Sequence, residues 1–252
     1  VSQLLVNIGN SCVSAARAEP AARGSSPAVA GLLREPTPRD AAALAALAAR
    51  IAGLRRRGET AGVCSVVPAA ARALVAAMPD AHLVDHTWDF PFAVSIREPR
   101  TVGADRWCNV AAAAAAALDD ALVVDAGTAT TIDVLAAGVF TGGLIAPGMA
   151  FAARKLQEEA AQLWPVPFAP CELRPGRDTE EALAIGAFHV GVHGVAGVVE
   201  ALLAAWPRSR VITTGGLGGY VARAGWLYDP DWTLRGLAAL LDRRRHAGGA
   251  TR

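Results

Sequence analysis

The chain is poor in lysine: Lys155 is the only one in 252 residues, and arginine supplies nearly all of the positive charge. The phosphate loop G-x-x-x-x-G-K-[ST] needs a lysine behind a glycine, and Lys155 follows Arg154, so that device is excluded. No G-x-G-x-x-G joins a strand to a helix, which removes the dinucleotide fingerprint as well. With 24 Lys+Arg against 23 Asp+Glu, a net charge of +1 offers no field to hold nucleic acid or an anionic membrane. The four cysteines, Cys12, Cys64, Cys108 and Cys171, never form a C-x-x-C pair, which argues against a zinc site or a disulfide framework and for reduced thiols. No uninterrupted apolar run meets the rule of roughly 18 to 20 residues for a membrane span. The nearest, Ala182 to Val199, is uncharged but holds four glycines, His189 and His193, and reads as a buried core helix. The sequence opens on Leu4-Leu5-Val6 with no basic leader ahead of it, so a cytoplasmic setting is expected.

What is abundant is apolar: 53% of residues are hydrophobic, enough for one large core or two medium ones. A strand is expected at Leu4 to Ile8, a turn at Gly9-Asn10-Ser11, and extended segments up to about Leu33. Asp40 is a good N-cap for an Ala/Leu helix running to Arg57. A buried strand over Gly62 to Val67, a helix after Pro68, and short strands near His82 to His86 and Phe92 to Ile96 follow. A helix over Ala104 to Leu118 leads into the all-apolar Leu122-Val123-Val124, a strand of the type buried on both faces. Pro147 sits where an N1 proline would start a helix, and Asp178-Thr179-Glu180-Glu181 starts a long one. A strand over Arg210 to Thr213, a glycine loop and two helices finish an α/β alternation.

One internal similarity stands out: Leu5-Val6-Asn7-Ile8-Gly9-Asn10-Ser11 and Val123-Val124-Asp125-Ala126-Gly127-Thr128-Ala129 share the order strand, Asn or Asp, any residue, Gly, small polar pair. Gly9 and Gly127 lie 118 residues apart, nearly half the chain, which suggests a duplicated α/β unit with both turns facing one cleft. Such a turn suits phosphate chemistry. Gly127 admits an anion close to the backbone, the hydroxyls of Thr128 and Thr130 can donate to phosphate oxygens, and Asp125 can hold a cation.

On these residues the chain resembles the type III pantothenate kinases, within the actin, Hsp70 and sugar-kinase fold group. The resemblance rests chiefly on Val102-Gly103-Ala104-Asp105-Arg106, Asp125-Ala126-Gly127-Thr128-Ala129-Thr130-Thr131 and Gly142-Gly143-Leu144-Ile145-Ala146-Pro147-Gly148. It is supported by Cys64-Ser65-Val66-Val67-Pro68, Gly176-Arg177-Asp178-Thr179, Thr214-Gly215-Gly216 and Trp232-Thr233-Leu234-Arg235-Gly236-Leu237. It implies two ribonuclease-H-like subdomains with a cleft between them, expected over residues 1–110 and 111–252. It further implies ATP-dependent phosphorylation of pantothenate, the first step of coenzyme A biosynthesis, with Mg2+ and a monovalent cation (K+ or NH4+) in a homodimer.

By the same resemblance Asp105 is the general base, and Gly103, Ala104, Asp105, Arg106 and Thr179 bind the acceptor. Asn7, Gly9, Asn10, Ser11, Gly127, Thr128, Thr130, Gly215 and Gly216 bind ATP, and Asp125 binds the cation. The chemistry agrees, since a carboxylate at a loop-to-helix junction can accept a hydroxyl proton and an arginine can pair bidentately with a carboxylate. Three positions depart from the family pattern: Asn7 replaces an Asp, Ile96 a Tyr, and the usual Thr near Ala160 or Ala161 is absent. At an effective dielectric near 20, a unit charge about 4 Å away is worth about 4 kcal/mol, so Asn7 removes a large interaction with any metal. Two alternatives stay open: a ligand-binding or regulatory relative, and a kinase of another small hydroxy acid. His189 and His193, without an acidic third ligand nearby, read as structural, and Arg55-Arg56-Arg57 and Arg243-Arg244-Arg245 as solvated helix ends.

Overall fold

The computed structural model describes residues 2–19 and 28–249; the part of the expected early extended segment at 20–27 lies outside the described residues. Alternating apolar residues start the first sheet: β1 (Gln3–Ile8), β2 (Cys12–Ala18) and β3 (Val29–Pro36). Helix α1 (Ala41–Gly53) begins at Asp40, whose carboxylate accepts from the Ala43 N–H at 2.8 Å. It stops four residues before Arg57, so the arginine triplet lies in the connection to β4 (Thr60–Ser65). Helix α2 (Pro68–Ala77) has its proline at the first turn. The short strands β5 (His82–Leu83) and β6 (Ala93–Val94) and helix α3 (Ala104–Ala115) follow.

The second half holds β7 (Ala121–Ala126), β8 (Ala129–Ala136), β9 (Val139–Pro147), α4 (Met149–Glu159), α5 (Thr179–Ala205), β10 (Arg210–Thr214), the single turn α6 (Gly218–Val221), β11 (Leu227–Tyr228) and α7 (Trp232–Gly249). Pro147 does not start a helix: it ends β9, and Gly148 takes the N-cap of α4 in extended geometry. Asp178 caps α5 where the sequence places its start, accepting from the Glu181 N–H at 2.8 Å.

By contacts the chain divides into two units, the first being Val1–Asp119 with Ala137–Thr141 and Asp231–Arg252, the second Asp120–Ala136 with Gly142–Pro230. The expected division at residue 110 therefore misplaces α7, which packs on α3, β1 and β4 of the first unit. The physical reason is small-residue packing. A Cβ at Gly236 would overlap the Cys108 carbonyl, and one at Gly62 would lie 2.6 Å from the Leu241 side chain. Thr233 Oγ1 donates to Asn109 Oδ1 at 2.8 Å and Trp232 Nε1 to Asn109 O at 3.0 Å, satisfying polar groups buried between α3 and α7.

The first unit's sheet has the order β3-β2-β1-β4-β5, with β1 antiparallel to β2 and parallel to β4. Leu4, Val6 and Ile8 on one face of β1 pack with Leu44, Leu47 and Ile51 of α1 and Leu74 of α2. In the second unit the order is β9-β8-β7-β10-β11, again with the central strand antiparallel to one neighbour and parallel to the other. Strand β7 thus occupies the place of β1, and the repeat read from Gly9 and Gly127 is a repeat of topology. Strand β9 begins in the first unit, where Val139 and Phe140 pair with Ala93 and Val94.

Leu122, Val124 and Ala126 pack against Phe188, Val192 and Val199 of α5. Only that face of α5 is buried, so it is not a core helix on all sides: Val190 is 74% exposed, and Gly194, Gly197 and Val198 are exposed too. By length and composition alone α5 is also apolar enough to cross a membrane. None of the four cysteines takes part in a disulfide among the described residues.

Candidate active site

In the first unit the ends of β1 and β4 and the start of α3 come together. Val66 N donates to Ile8 O at 3.1 Å, and the Val66 side chain lies 3.3 Å from where a Gly103 Cβ would be. Gly103 is the N-cap of α3, and the absence of its side chain lets Asp105 fold back over it: a Cβ there would be 2.5 Å from Asp105 Oδ1. That oxygen accepts from the Arg106 N–H at 2.8 Å. Burial raises the Asp105 pKa above its ordinary value of 3.8, and the Arg106 N–H and charge oppose the shift without cancelling it. A desolvated carboxylate with raised basicity beside a guanidinium is the arrangement of a general base next to an anion clamp.

The turn after β1 completes this group. Gly9 N donates to Cys12 O at 2.9 Å, Thr37 Oγ1 donates to Gly9 O at 2.6 Å, and Asn10 and Ser11 are exposed at the tip. Asn7 sits half-buried near the strand end, opposite Ser14 and Cys64. Thr37 was not among the sequence candidates; its only signal was a threonine following the strand that borders the turn.

The second unit builds a different group around β7. Gly127 N donates to Ala129 O at 3.0 Å, and Gly148 N donates to Thr128 O at 3.0 Å. A Cβ on Gly148 would overlap the Gly127 and Thr128 carbonyl oxygens, so the start of α4 presses directly on the turn. From the other side Gly215, at φ +81°, leaves space that a Cβ would take from Asp125 Oδ1 and the Ala126 carbonyl. Leu217 N donates to Ala126 O at 3.0 Å and closes the loop. Asp125, Gly127, Thr128 and Gly215 are therefore gathered, with Gly216 exposed beside them.

Thr130 does not join them. Cross-strand partners share a face, and Ala126 opposes Thr130 while Asp125 opposes Thr131. Thr130 is thus on the face of Ile132 and Val134, 2% exposed, its hydroxyl without a hydrogen-bond partner among the described residues. The threonine beside Asp125 is Thr131, which strand alternation from Asp125 through the turn would have picked out. Thr179 stands at the exposed first turn of α5, and no contact described for it reaches Asp125 or Gly127. Ala104 is buried in α3 and can offer only backbone.

No group of three metal-ligating side chains occurs among the described residues. The Asp125 carboxylate at the strand end, with a glycine cradle that a Cβ would fill, fits a cation that takes its remaining ligands from phosphate and water.

A sequence model described as type III pantothenate kinase matches residues 3–202. A type III pantothenate kinase from Acidothermus cellulolyticus is 38% identical over 191 residues, covering 71% of this chain and 75% of that one. One from Hyphomonas neptunium is 37% identical over 158 residues, and the match spans 62% of its length. Among solved structures, a ROK family glucokinase from Streptomyces griseus, in complex with glucose and AMPPNP, aligns at a TM-score of 0.58 and 10% identity over 98% of this chain and all of that one. The ethanolamine utilization protein EutJ from Carboxydothermus hydrogenoformans aligns at 0.55 and 16% identity over 95% and 90% of the two chains. At such identities these two speak for the fold alone, the two-subdomain fold of the actin-like sugar kinases.

Proposed function

The chain belongs to the type III pantothenate kinase family, and we propose that it transfers the γ-phosphoryl group of ATP to the primary hydroxyl of pantothenate. The observation that carries this reading is the desolvated Asp105 folded over Gly103 beside Arg106. Arg106 pairs with the acceptor's carboxylate, and Asp105 takes the hydroxyl proton as the oxygen bonds to the γ-phosphorus. The bond from that phosphorus to the bridging oxygen breaks, and ADP leaves with the electron pair. The turn at Gly127 and Thr128, held rigid by Gly148 and Gly215, cradles nucleotide phosphates, as do Gly9, Asn10 and Ser11 in the first unit. Mg2+ and K+ or NH4+, the former with the phosphates and the latter at Asp125, would supply positive charge against the phosphate oxygens.

The exposed apolar face of α5, with Val190, Gly194, Gly197 and Val198, supports a homodimer, in which Thr179 would serve the acceptor site of the second copy. A cytoplasmic setting suits a reaction fed by ATP. Asn7 favours the second reading, a relative that binds without turnover, because a neutral amide cannot repay the cost of desolvating a metal as a carboxylate does. A coupled assay with ATP, pantothenate, Mg2+ and K+, run beside calorimetric binding of both substrates, separates the two. Turnover establishes the kinase; binding of both with no turnover establishes the relative; binding of neither removes both readings.

A further inference from the structure

Arg106 is held by more than its helix. Its guanidinium carbon lies over the ring of Phe140, 5.8 Å from the centroid. Phe140 is fully buried, and its backbone is fixed by the pairing of β9 with β6, where Ser95 N donates to Phe140 O at 3.0 Å. The ring meets Trp107 at 5.4 Å and 83° and Phe92 at 6.1 Å and 90°, both edge-to-face. Trp107 in turn stacks on Phe90 at 4.4 Å and 16°. The first turn of α3 is therefore tied twice to one aromatic cluster, through Trp107 and through Arg106, and both ties converge on Phe140.

We propose that Phe140 is a positioning residue: its electron-rich face holds the Arg106 guanidinium in the orientation that receives the acceptor's carboxylate. The proposal rests on the reading of Arg106 as the carboxylate clamp. An arginine side chain has many rotamers, and a clamp that must be ordered at each binding event loses affinity to that ordering. A guanidinium is planar, weakly hydrated and attracted to an aromatic face, so the ring orders it beforehand through its face, an interaction that does not consume the N–H donors with which it meets a planar anion. An aliphatic residue of similar size would fill the same core and give none of this. The neighbouring Asp105 gains as well, because a guanidinium fixed beside it limits the rise in its pKa that burial causes.

The distinction between a core filler and a positioning ring lies in the ring's electronics. Replacing Phe140 by mono-, di- and pentafluorinated phenylalanines by nonsense suppression keeps the shape and withdraws charge from the face. The KM for pantothenate is expected to rise stepwise, to about tenfold, with kcat within about twofold and the melting temperature steady. In an Arg106→Ala background the same series is expected to be flat. A readout independent of turnover is the Arg106 Nε–H proton resonance, expected upfield in the wild type from the ring current and back at the ordinary position in Phe140→Leu. An enzyme that phosphorylates pantothenate with a KM indifferent to fluorination, or with equal dependence when Arg106 is absent, overturns the proposal. If the wild type neither binds nor phosphorylates pantothenate, the functional reading has failed on its own account. The Arg106 resonance then decides, since an unshifted Nε–H in the wild type removes the contact itself.

Discussion

In the first unit the turn after β1 is held by hydrogen bonds: Gly9 N donates to Cys12 O, Thr37 N to Ser11 O, Thr37 Oγ1 to Gly9 O, and Val66 N to Ile8 O. In the second the turn after β7 is held by backbone pressed on backbone, with Gly148 on one side and Gly215 on the other. Both turns leave the central strand of a sheet with the same order. The charge is distributed differently too, since the second unit keeps its acid on the strand at Asp125, whereas the first has Asn7 there and gains its acid from α3 at Asp105. One topology thus supplies a glycine-packed turn beside Asp125 in one copy and, in the other, a turn tied by Thr37 beside Asp105.

The sharpest test of that contrast is Asp105→Asn. Loss of a general base is expected to lower kcat by about 10² to 10⁴ while ADP affinity, assigned by the proposal to the glycine-held turn, stays within twofold. Stability is expected to move the other way. Because burial raises the folded pKa of Asp105 above its ordinary value of 3.8, its contribution to stability is present below that value and is lost as pH rises through the folded pKa. The neutral amide escapes that loss, so the variant is expected to melt higher than the wild type at pH 7 and no higher at pH 3. The wild-type kcat/KM should show an acid limb above the ordinary aspartate range. A variant with more than half of wild-type turnover takes the base away from α3 and ends the contrast.

Next in size is Gly148→Ala. The new methyl meets carbonyl oxygens of the turn itself, which cannot rotate away as a side chain can, and a loss of about 3 kcal/mol or more is expected in urea melts. Gly216→Ala, with no atom within 4 Å of the added carbon, should cost no more than about 0.5 kcal/mol. Equal costs would mean that the cradle is not held by backbone contact.

Much of this was legible from local rules. Asp40 and Asp178 announced helices because an N-cap is decided within three residues, and Leu122 to Val124 announced a buried strand by composition alone. Pro147 misled because a proline fits the end of a strand as well as the start of a helix, and Gly148 decides between them only through its contact with Thr128. The placement of α7 needed the fit of Gly236 against Cys108, more than a hundred residues away, which no local pattern carries. Asp105 was recognisable from its motif, but its desolvation belongs to the packing of Val66, Gly103 and Arg106.

Asn7→Asp asks whether the first turn can be made to resemble the second. Restoring a carboxylate at the end of β1 is expected to raise the phosphorylation rate roughly 30- to 150-fold, from ~2 to 3 kcal/mol of transition-state stabilisation, and only with Mg2+ present. A magnesium titration of both proteins measures it. A gain that persists without the metal would mean a folding effect, and no gain in an already fast enzyme would show that the first turn needs no acid.

The smallest expected effect separates motif from geometry within the second unit. Thr130 and Thr131 are adjacent and both belong to the phosphate-binding run read from the sequence, yet alternation sends them to opposite faces. The Thr130 hydroxyl is buried without a partner among the described residues, so Thr130→Val replaces an unsatisfied group by a methyl of nearly the same shape. That should stabilise the fold by about 1 kcal/mol and leave ADP affinity unchanged. Thr131→Val alters the face that carries Asp125 and should weaken ADP binding about threefold in the presence of Mg2+ and K+, with little change in stability. Urea melts and calorimetric ADP titrations of the two variants decide the matter. If Thr130→Val is the one that weakens ADP, the hydroxyl must reach the ligand from the core face, and the division of β8 into a core side and a phosphate side is wrong.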